Sequence, residues 1–332
     1  MRYAVTGSTG FLGANLVRHL LDEGHQVVAL IRKPNQLLAD LDVELAAPSL
    51  LDGASSELCD AVSDCDGIFH VAGTFDPSPG GEERMRAVHV VATQSLIEAA
   101  KRAECKRLVL CSSSVTVGFG TKDNPGDETT PLNADRIYGR TGALRAYYDT
   151  KLDAEALAAH TTGLDVVVVN PDFIVGAFDV KPTSGQSIVA LSKRWVPVYP
   201  KGGKCFQTAM DCARGHLLAM ERGVHGRRYL LGSHNLSYRD FMAQVAAVVG
   251  RRPPAIALPS LLTAAAGAVG RVGSRFDTHR FAGLDPHVLR SMQTDRYRLD
   301  RRAREELGLR PEPLEVGIQA AYQWFQANGY CP

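Results

Sequence analysis

Three glycines spaced three apart, Gly7, Gly10 and Gly13, stand between a short apolar run, Tyr3 to Val5, and a segment in which Leu12, Leu16, Val17 and Leu20 recur at helical spacing. A chain that starts this way must pass from a strand into a helix within a few residues. Gly7 can take backbone angles closed to other residues. With no side chain at Gly10, a phosphate can reach the helix N-terminus, where unpaired N–H groups and the positive dipole end face it, and Gly13 lets the helix lie against the strand. Thr9, Phe11 and Leu12 complete this cradle. Three glycines alone also fit an ordinary strand-helix turn, and the spacing departs by one residue from Gly-x-Gly-x-x-Gly. Their place at the first strand and first helix, with a second apolar strand from Val27 to Ile31, points to a dinucleotide as the ligand.

That second strand ends in Arg32 and Lys33. An acidic residue there would bind ribose hydroxyls, whereas an arginine can grip a 2′-phosphate through charge-assisted hydrogen bonds. The pair therefore favours NADP(H) over NAD(H), with solvated basic residues at a strand end as the plainer alternative.

Beyond Arg32 strands and helices alternate. Val43–Ala46, Gly67–Gly73, Arg107–Cys111 and the valine run Asp165–Asn170 read as strands; Leu51–Val62, Glu83–Arg102 and a segment ending near His160 read as helices. Such alternation predicts an α/β fold of the Rossmann type, a doubly wound parallel sheet with ligands beyond the C-terminal strand ends. Val115 to Arg145 is a long loop of the kind that is more often functional than idle. After Gly176 the alternation fails. A strand at Arg228–Leu231 is expected to return to the main sheet, and Tyr238–Gly250, Ser260–Gly270, Arg301–Leu307 and Leu314–Asn328 read as helices of a smaller mixed C-terminal cap. The expected division is a dinucleotide-binding domain over residues 1–175, with a returning helix and strand near 211–232, and a substrate cap over residues 176–210 and 233–332.

At 332 residues the chain can bury a sizeable core, and 45% hydrophobic with 22% charged residues is a globular composition. A net charge of +1 calls for neither nucleic acid nor an anionic membrane. The seven cysteines lack a Cys-x-x-Cys pair or a histidine at zinc spacing, so no metal site is expected and reduced thiols in a cytoplasmic protein are. The start passes straight into a strand and leaves no room for a signal peptide. The most apolar helix candidate, Leu261 to Val269, is short of the roughly 20 residues that span a bilayer.

Tyr147 and Lys151 lie four apart at the start of a helix and so share a face. A phenol with a free pKa of about 10 is a poor acid-base near neutrality, and a neighbouring ammonium is expected to bring it into range. Ser114, after the fifth strand, would face the same cleft and hydrogen-bond a substrate oxygen. Each feature alone is common; together, in this order behind the glycine-rich start, they form a proton relay.

Thr6-Gly-Ser-Thr-Gly-Phe-Leu-Gly13, Phe69-His-Val-Ala72, Leu110-Cys-Ser-Ser-Ser114, Tyr147 to Lys151, Asn170-Pro-Asp-Phe-Ile-Val-Gly176 and Arg302 to Pro311 resemble the extended short-chain dehydrogenase/reductases of the NAD-dependent epimerase/dehydratase family. Asp179 to Thr183 and Gly215 to Ala219 bring the chain close to the dihydroflavonol-reductase-like branch, with hopanoid-associated sugar epimerases and 3β-hydroxysteroid dehydrogenases as neighbours. The resemblance implies that Tyr147 is the general acid-base, that Lys151 binds the nicotinamide ribose, and that Ser114 orients the carbonyl. It further implies that Ala72 lines the ribose side, Leu50 the adenine side, and Pro171 with Ile174 the nicotinamide, and that the chain forms a homodimer. Three departures stand out: Ser49-Leu50 replaces Asp-Leu, His89 replaces an asparagine, and Gln207-Thr-Ala-Met-Asp211 replaces Val-His-Val-Asp-Asp.

Three functions fit these features. One is a carbonyl reductase acting on a small ketone or aldehyde. Another is a nucleotide-sugar epimerase or dehydratase on retained NAD, with Arg136, Arg140, Arg145 and Lys204 neutralising a diphosphate. The third is a cofactor-binding sensor without chemistry, against which the retained tyrosine-lysine pair speaks.

Overall fold

The strands read from the sequence pair in parallel because each is followed by a helix that carries the chain back to the same end of the sheet. The computed structural model describes residues 1–259, 263, 265, 267–269, 273 and 286–332; the helix expected over Ser260–Gly270 falls mostly outside them. Its strands are β1 (Arg2–Thr6), β2 (Gln26–Leu30), β3 (Glu44–Ala46), β4 (Gly67–His70), β5 (Arg107–Cys111), β6 (Asp165–Pro171), β7 (Phe173–Val175), β8 (Val198–Tyr199), β9 (Gly203–Thr208), β10 (Arg228–Leu231), β11 (His234–Ser237), β12 (Ile256–Ala257) and β13 (Asp295–Arg296). Seven of them form one sheet in the order β10-β6-β5-β4-β1-β2-β3, every neighbouring pair parallel. Strand order reverses between β1 and β4, and a crevice opens at such a switch point.

The helices are α1 (Phe11–Asp22), α2 (Ser56–Val62), α3 (Gly81–Arg86), α4 (Ala92–Arg102), α5 (Ala134–Tyr138), α6 (Ala143–His160), α7 (Gln186–Lys193), α8 (Ala209–Arg222), α9 (Tyr238–Val248), α10 (Pro286–Met292) and α11 (Leu314–Ala327). Alternation along the strands feeds two cores. Val5, Phe69, Val109, Val167 and Val169 pack with α1 and α8 on one face; Ala4, Ile68, Leu108, Val166 and Val168 pack with α2, α4 and α6 on the other. The valine run of β6 is therefore buried on both sides, each side chain stabilising by roughly 1.5–3 kcal/mol. A third core, with Val175, Phe206, Phe241 and Phe325 at its centre, belongs to the cap.

Several elements depart from expectation. Ser55 caps α2 by accepting from Leu58 N at 3.2 Å, so that helix starts at Ser56 rather than Leu51. The helix expected over Glu83–Arg102 is interrupted by a π-helical turn at Ala87–Val91, which carries His89 with its side chain 1% exposed. Ala303–Leu307 is likewise π-helical. The loop from Val115 to Arg145 contains α5 and is tied to the C-terminal segment by bridges from Gly120 to Tyr297 and Gly126 to Arg298. In the cap β9 lies between β11 on one side and β7 with β13 on the other, a second sheet the sequence did not announce. The returning strand β10 pairs with β6 as expected.

Candidate active site

At the switch point the glycines do three different things. Gly7 has φ +67°, and a Cβ there would lie 2.7 Å from Ala72 N, so β1 and the end of β4 touch through it. A Cβ at Gly13 would fall 2.0 Å from the Gly7 carbonyl oxygen, which fixes how closely α1 packs. Gly10 caps α1 with no side chain, and its N–H donates to Gly7 O at 2.9 Å. The first N–H groups of α1, at Phe11 and Leu12, thus face outward without a partner, and the first turn holds no acidic residue. Thr9 and Phe11 flank this opening partly exposed, Leu12 turns into the core, and the Ser8 hydroxyl is buried with no partner. These are the features of an anion cradle.

Thr6 and His70 are opposite each other in the β1–β4 register. Thr6 Oγ1 accepts from Ala72 N at 3.1 Å and shares a hydrogen bond with His70 Nδ1 at 2.8 Å. Asn15 Nδ2 donates to Phe11 O at 2.8 Å and Ala177 O at 2.9 Å, fastening the start of α1 to the chain beyond β7. Arg32 and Lys33 stand exposed just past β2 with no hydrogen bond or ion pair among the described residues. Leu50 packs partly buried against the second core face; Pro171 is buried at the end of β6, and Ile174 on β7 borders the first core face.

The chemical end is built on α6. Lys151, 5% exposed, donates from Nζ to Cys111 O at 3.0 Å, and burial lowers its pKa. Tyr147, one turn earlier, is half-buried, with the rings of Phe75 and His89 edge-on at 5.8 and 5.5 Å. Burial of the phenol pushes it up to about 12, while a hydrogen bond from the Ser113 hydroxyl works the other way. Ser113 is the serine that acts on the phenol, and Ser114 lies buried in the 3-10 turn Ser114–Thr116, one residue further on. Lys151 is engaged with the Cys111 carbonyl.

Two residues that the sequence left without a role hold this arrangement. Glu155, one further turn along α6, accepts from Thr116 Oγ1 at 2.6 Å, from Asn170 Nδ2 at 2.7 Å and from the Ser112 hydroxyl, and its other oxygen meets Arg228 at 3.3 Å. Asn170 Nδ2 also donates to Ser113 O at 3.0 Å. The serine turn is thereby pinned to α6 and β6 together. His89 takes Thr74 N on Nε2 at 3.1 Å and gives its Nδ1 proton to Thr150 at 2.9 Å, whose hydroxyl is spent on Ala146 O. Burial beside Lys151 keeps the ring neutral, with its pKa lowered to about 2.

Of the arginines read as a diphosphate clamp, Arg145 pairs with Asp149 at 2.8 Å and with Asp135, and Arg140 with Asp135 at 3.3 Å. Arg136 is exposed on α5. In the departed motif Gln207 is buried with neither amide atom partnered, Thr208 caps α8, and Asp211 accepts from Glu312 N at 3.1 Å, so the last two are scaffold. Among the described residues no group of three or more His, Cys, Asp or Glu side chains could hold a metal ion. Two surface hollows of about 570 and 660 Å³, beside Lys106 with Gly163 and beside Arg2 with Asp66, lie at the opposite end of the strands and away from these groups.

Residues 3–232 match the NAD dependent epimerase/dehydratase family. Along its whole length the chain is similar to a putative dihydroflavonol 4-reductase of a Synechocystis species, 32% identical with 99% of this chain and 95% of that one covered. It is also similar to the sterol demethylase protein B of Methylococcus capsulatus, 31% identical with 99% of each chain covered. Among solved structures, a nucleoside-diphosphate-sugar epimerase from Pseudomonas aeruginosa superposes with TM-score 0.78 at 27% identity over 100% of this chain and 99% of that one. No helix among the described residues is long and apolar enough to cross a membrane. With its parallel sheet, glycine cradle and tyrosine-lysine helix, the chain belongs to the NAD dependent epimerase/dehydratase family, as an extended short-chain dehydrogenase/reductase.

Proposed function

We propose that the protein is an NADP(H)-dependent carbonyl reductase, running in reverse as an alcohol dehydrogenase. One observation carries this reading: the half-buried Tyr147 phenol, set between the rings of Phe75 and His89, stands one helical turn from the buried Lys151 ammonium. A reductase needs a proton donor at the oxygen that gains negative charge, and a tyrosine hydroxyl carries its proton at neutral pH.

The residues present fit a dinucleotide. The uncapped start of α1 with Gly7, Thr9, Gly10, Phe11, Leu12 and Gly13 would take the pyrophosphate, and Ala72 and Leu50 would flank the ribose and adenine. Arg32 and Lys33, unpaired beside the cradle, supply charge for a 2′-phosphate, and NAD(H) is the alternative. Pro171 and Ile174 would border the nicotinamide, and Lys151 its ribose. The dinucleotide supplies the two electrons. The chain's own part is to orient the carbonyl oxygen between Ser113 and Tyr147 and to hand it the phenol proton. The Ser113 oxygen accepts from Val115 N at 3.3 Å, and its proton would turn from the phenol to a carbonyl oxygen placed between the two.

The test is NADPH oxidation with a panel of ketones and aldehydes. The wild type turns over at least one, and Tyr147→Phe loses about 10²–10⁴-fold in kcat, the usual worth of a positioned proton donor. An unchanged Tyr147→Phe rate removes this reading. A nucleotide-sugar epimerase is less well supported, because Arg140 and Arg145 already spend their charge on Asp135 and Asp149. A sensor without chemistry would have no use for the relay.

We also take the enzyme to be a cytoplasmic homodimer. Seven free cysteines suit a reducing compartment. Val91 at 40% and Leu152 at 38% exposure put apolar surface on the helices that the family packs across its dimer axis. Light scattering that gives a mass near 35.9 kDa, the single chain, would exclude the dimer.

A further inference from the structure

On the cap side of the same cleft three cations crowd together: Lys204 on β9, Arg296 on β13, and Arg298 two residues later. One carboxylate, Asp172, stands among them, so the group carries three positive charges against one negative. Arg298, 3% exposed, is fully used, donating to Asp172 at 2.5 Å, to Val117 O at 2.9 Å and to Gly118 O at 3.0 Å. It is scaffold for the loop.

The other two donate no hydrogen bond among the described residues. Lys204 Nζ reaches the second oxygen of Asp172 only at 3.7 Å, beyond hydrogen-bond distance, and lies 4.9 Å from the Phe173 ring centre. Arg296 makes no hydrogen bond and no ion pair among the described residues. Its guanidinium lies over Phe119 and Tyr138, 5.1 and 5.7 Å from the ring centres, and its Nε is buried with no partner. Burial, with Arg298 nearby, lowers the pKa of Arg296 despite the aromatic neighbours. A half-buried guanidinium with no anion is a costly thing to keep, and a cation–π contact is worth only about 0.5–2 kcal/mol.

The cluster and the proton donor share one loop. Val117 and Gly118, which Arg298 holds, follow directly on the turn that bears Ser113. Asp172 lies two residues beyond Asn170, whose amide holds Ser113 O. Tyr138, beneath Arg296, donates to Val115 O at 3.0 Å.

We infer that Arg296 and Lys204 bind a carboxylate of the substrate, so that the carbonyl compound is an oxo acid with an apolar or aromatic body lying against Phe119, Tyr138 and Phe173. The inference rests on the carbonyl-reductase reading and names its substrate class. A single carboxylate fits better than a diphosphate, because the Asp172 oxygen beside Lys204, which accepts no hydrogen bond, repels a second negative charge.

The experiment compares benzoylformate, benzoylacetate and benzoylpropionate, each beside its methyl ester, in NADPH oxidation by the wild type, Arg296→Gln and Lys204→Gln. The expected result is that kcat/KM for at least one acid exceeds that for its ester by about 10–100-fold in the wild type, the worth of a charge-assisted hydrogen bond, and that this ratio collapses toward one in Arg296→Gln. Equal ratios in wild type and variants, with turnover intact, overturn the carboxylate site and leave the reductase reading standing. If none of these compounds is reduced, thermal shift with benzoate, methyl benzoate and uridine diphosphate decides the site. Benzoate stabilising the wild type but not Arg296→Gln upholds it; no benzoate effect, or an effect of the diphosphate alone, overturns it. Arg296→Gln without ligand is expected to melt no lower than the wild type, since an unpaired charge is removed. A large drop would make Arg296 structural and also overturn the inference.

Discussion

At the scale of single residues, the serine triplet shows what a motif can and cannot say. Leu110-Cys-Ser-Ser-Ser114 marks the end of β5 and a hydroxyl for the site, but which of three consecutive serines faces the phenol depends on how the chain turns after the strand. Ser113 is extended, with φ −158°, while Ser114 begins the 3-10 turn. One residue of offset moves a side chain to the other face. Ser113→Ala is therefore expected to lower kcat by about 10–100-fold, whereas Ser114→Ala changes kcat by less than about threefold. Steady-state kinetics over pH 6–10 on both variants checks this, and a larger loss in Ser114→Ala would reverse the assignment. Tyr147 and Lys151 were legible because helix periodicity fixes their common face. The state of the phenol was not, because it depends on burial and on the Cys111 carbonyl that holds the lysine, neither of which is written in the spacing.

At the scale of elements, α6 carries Tyr147, Lys151 and Glu155 at successive turns, two of them proposed for chemistry and the third for aim. Glu155 is buried at 5% exposure, and three donors from the serine turn and β6 converge on one of its oxygens. Glu155→Gln places an amide where those donors point and frees Arg228 from its partner. A loss of about 1–3 kcal/mol in stability is expected, together with a fall in kcat and little change in KM for NADPH, because the turn loses its register while the cradle at α1 is untouched. Urea unfolding and initial rates measure the two separately; a raised KM for NADPH with normal kcat would count against a role in aiming Ser113. The strands of the main sheet other than β3 could be read in advance because each carries an apolar run that both core faces demand. The π turn at Ala87–Val91 could not: nothing in Ala-Val-His-Val-Val distinguishes it from ordinary helix, and His89 is drawn inward by Thr74 and Thr150, far from it in sequence. The cap was the least legible part, since β9 assembles a sheet from strands of two to six residues whose partners lie far apart in the chain.

At the scale of the whole molecule, buried neutral histidines set the acid limit. Burial lowers the pKa of His70 to about 3 and that of His216 to about 4, each with Nε2 unpartnered, from an ordinary value of 6.5. The unfolded chain therefore binds more protons than the folded one below pH 6.5, and stability falls as the pH drops through that window toward the folded-state values. Each contributes a loss of about 2–3 kcal/mol by pH 4.5. Melting temperatures between pH 7.5 and 4.5 should decline steadily and more shallowly in His216→Gln; a flat profile in the wild type would show that these rings are charged when folded.

The return of β10 has a consequence for biosynthesis. The chain leaves the main sheet at Pro171, lays down two of the four strands of a second sheet, and comes back at Arg228 to cover the open side of β6, where Leu230 N is received by Glu128 and Arg302 meets the Arg228 carbonyl. A nascent polypeptide that has emerged only as far as Gly176 thus presents an unprotected valine-rich strand, and the main sheet is complete only once more than fifty further residues, β9 among them, have been translated.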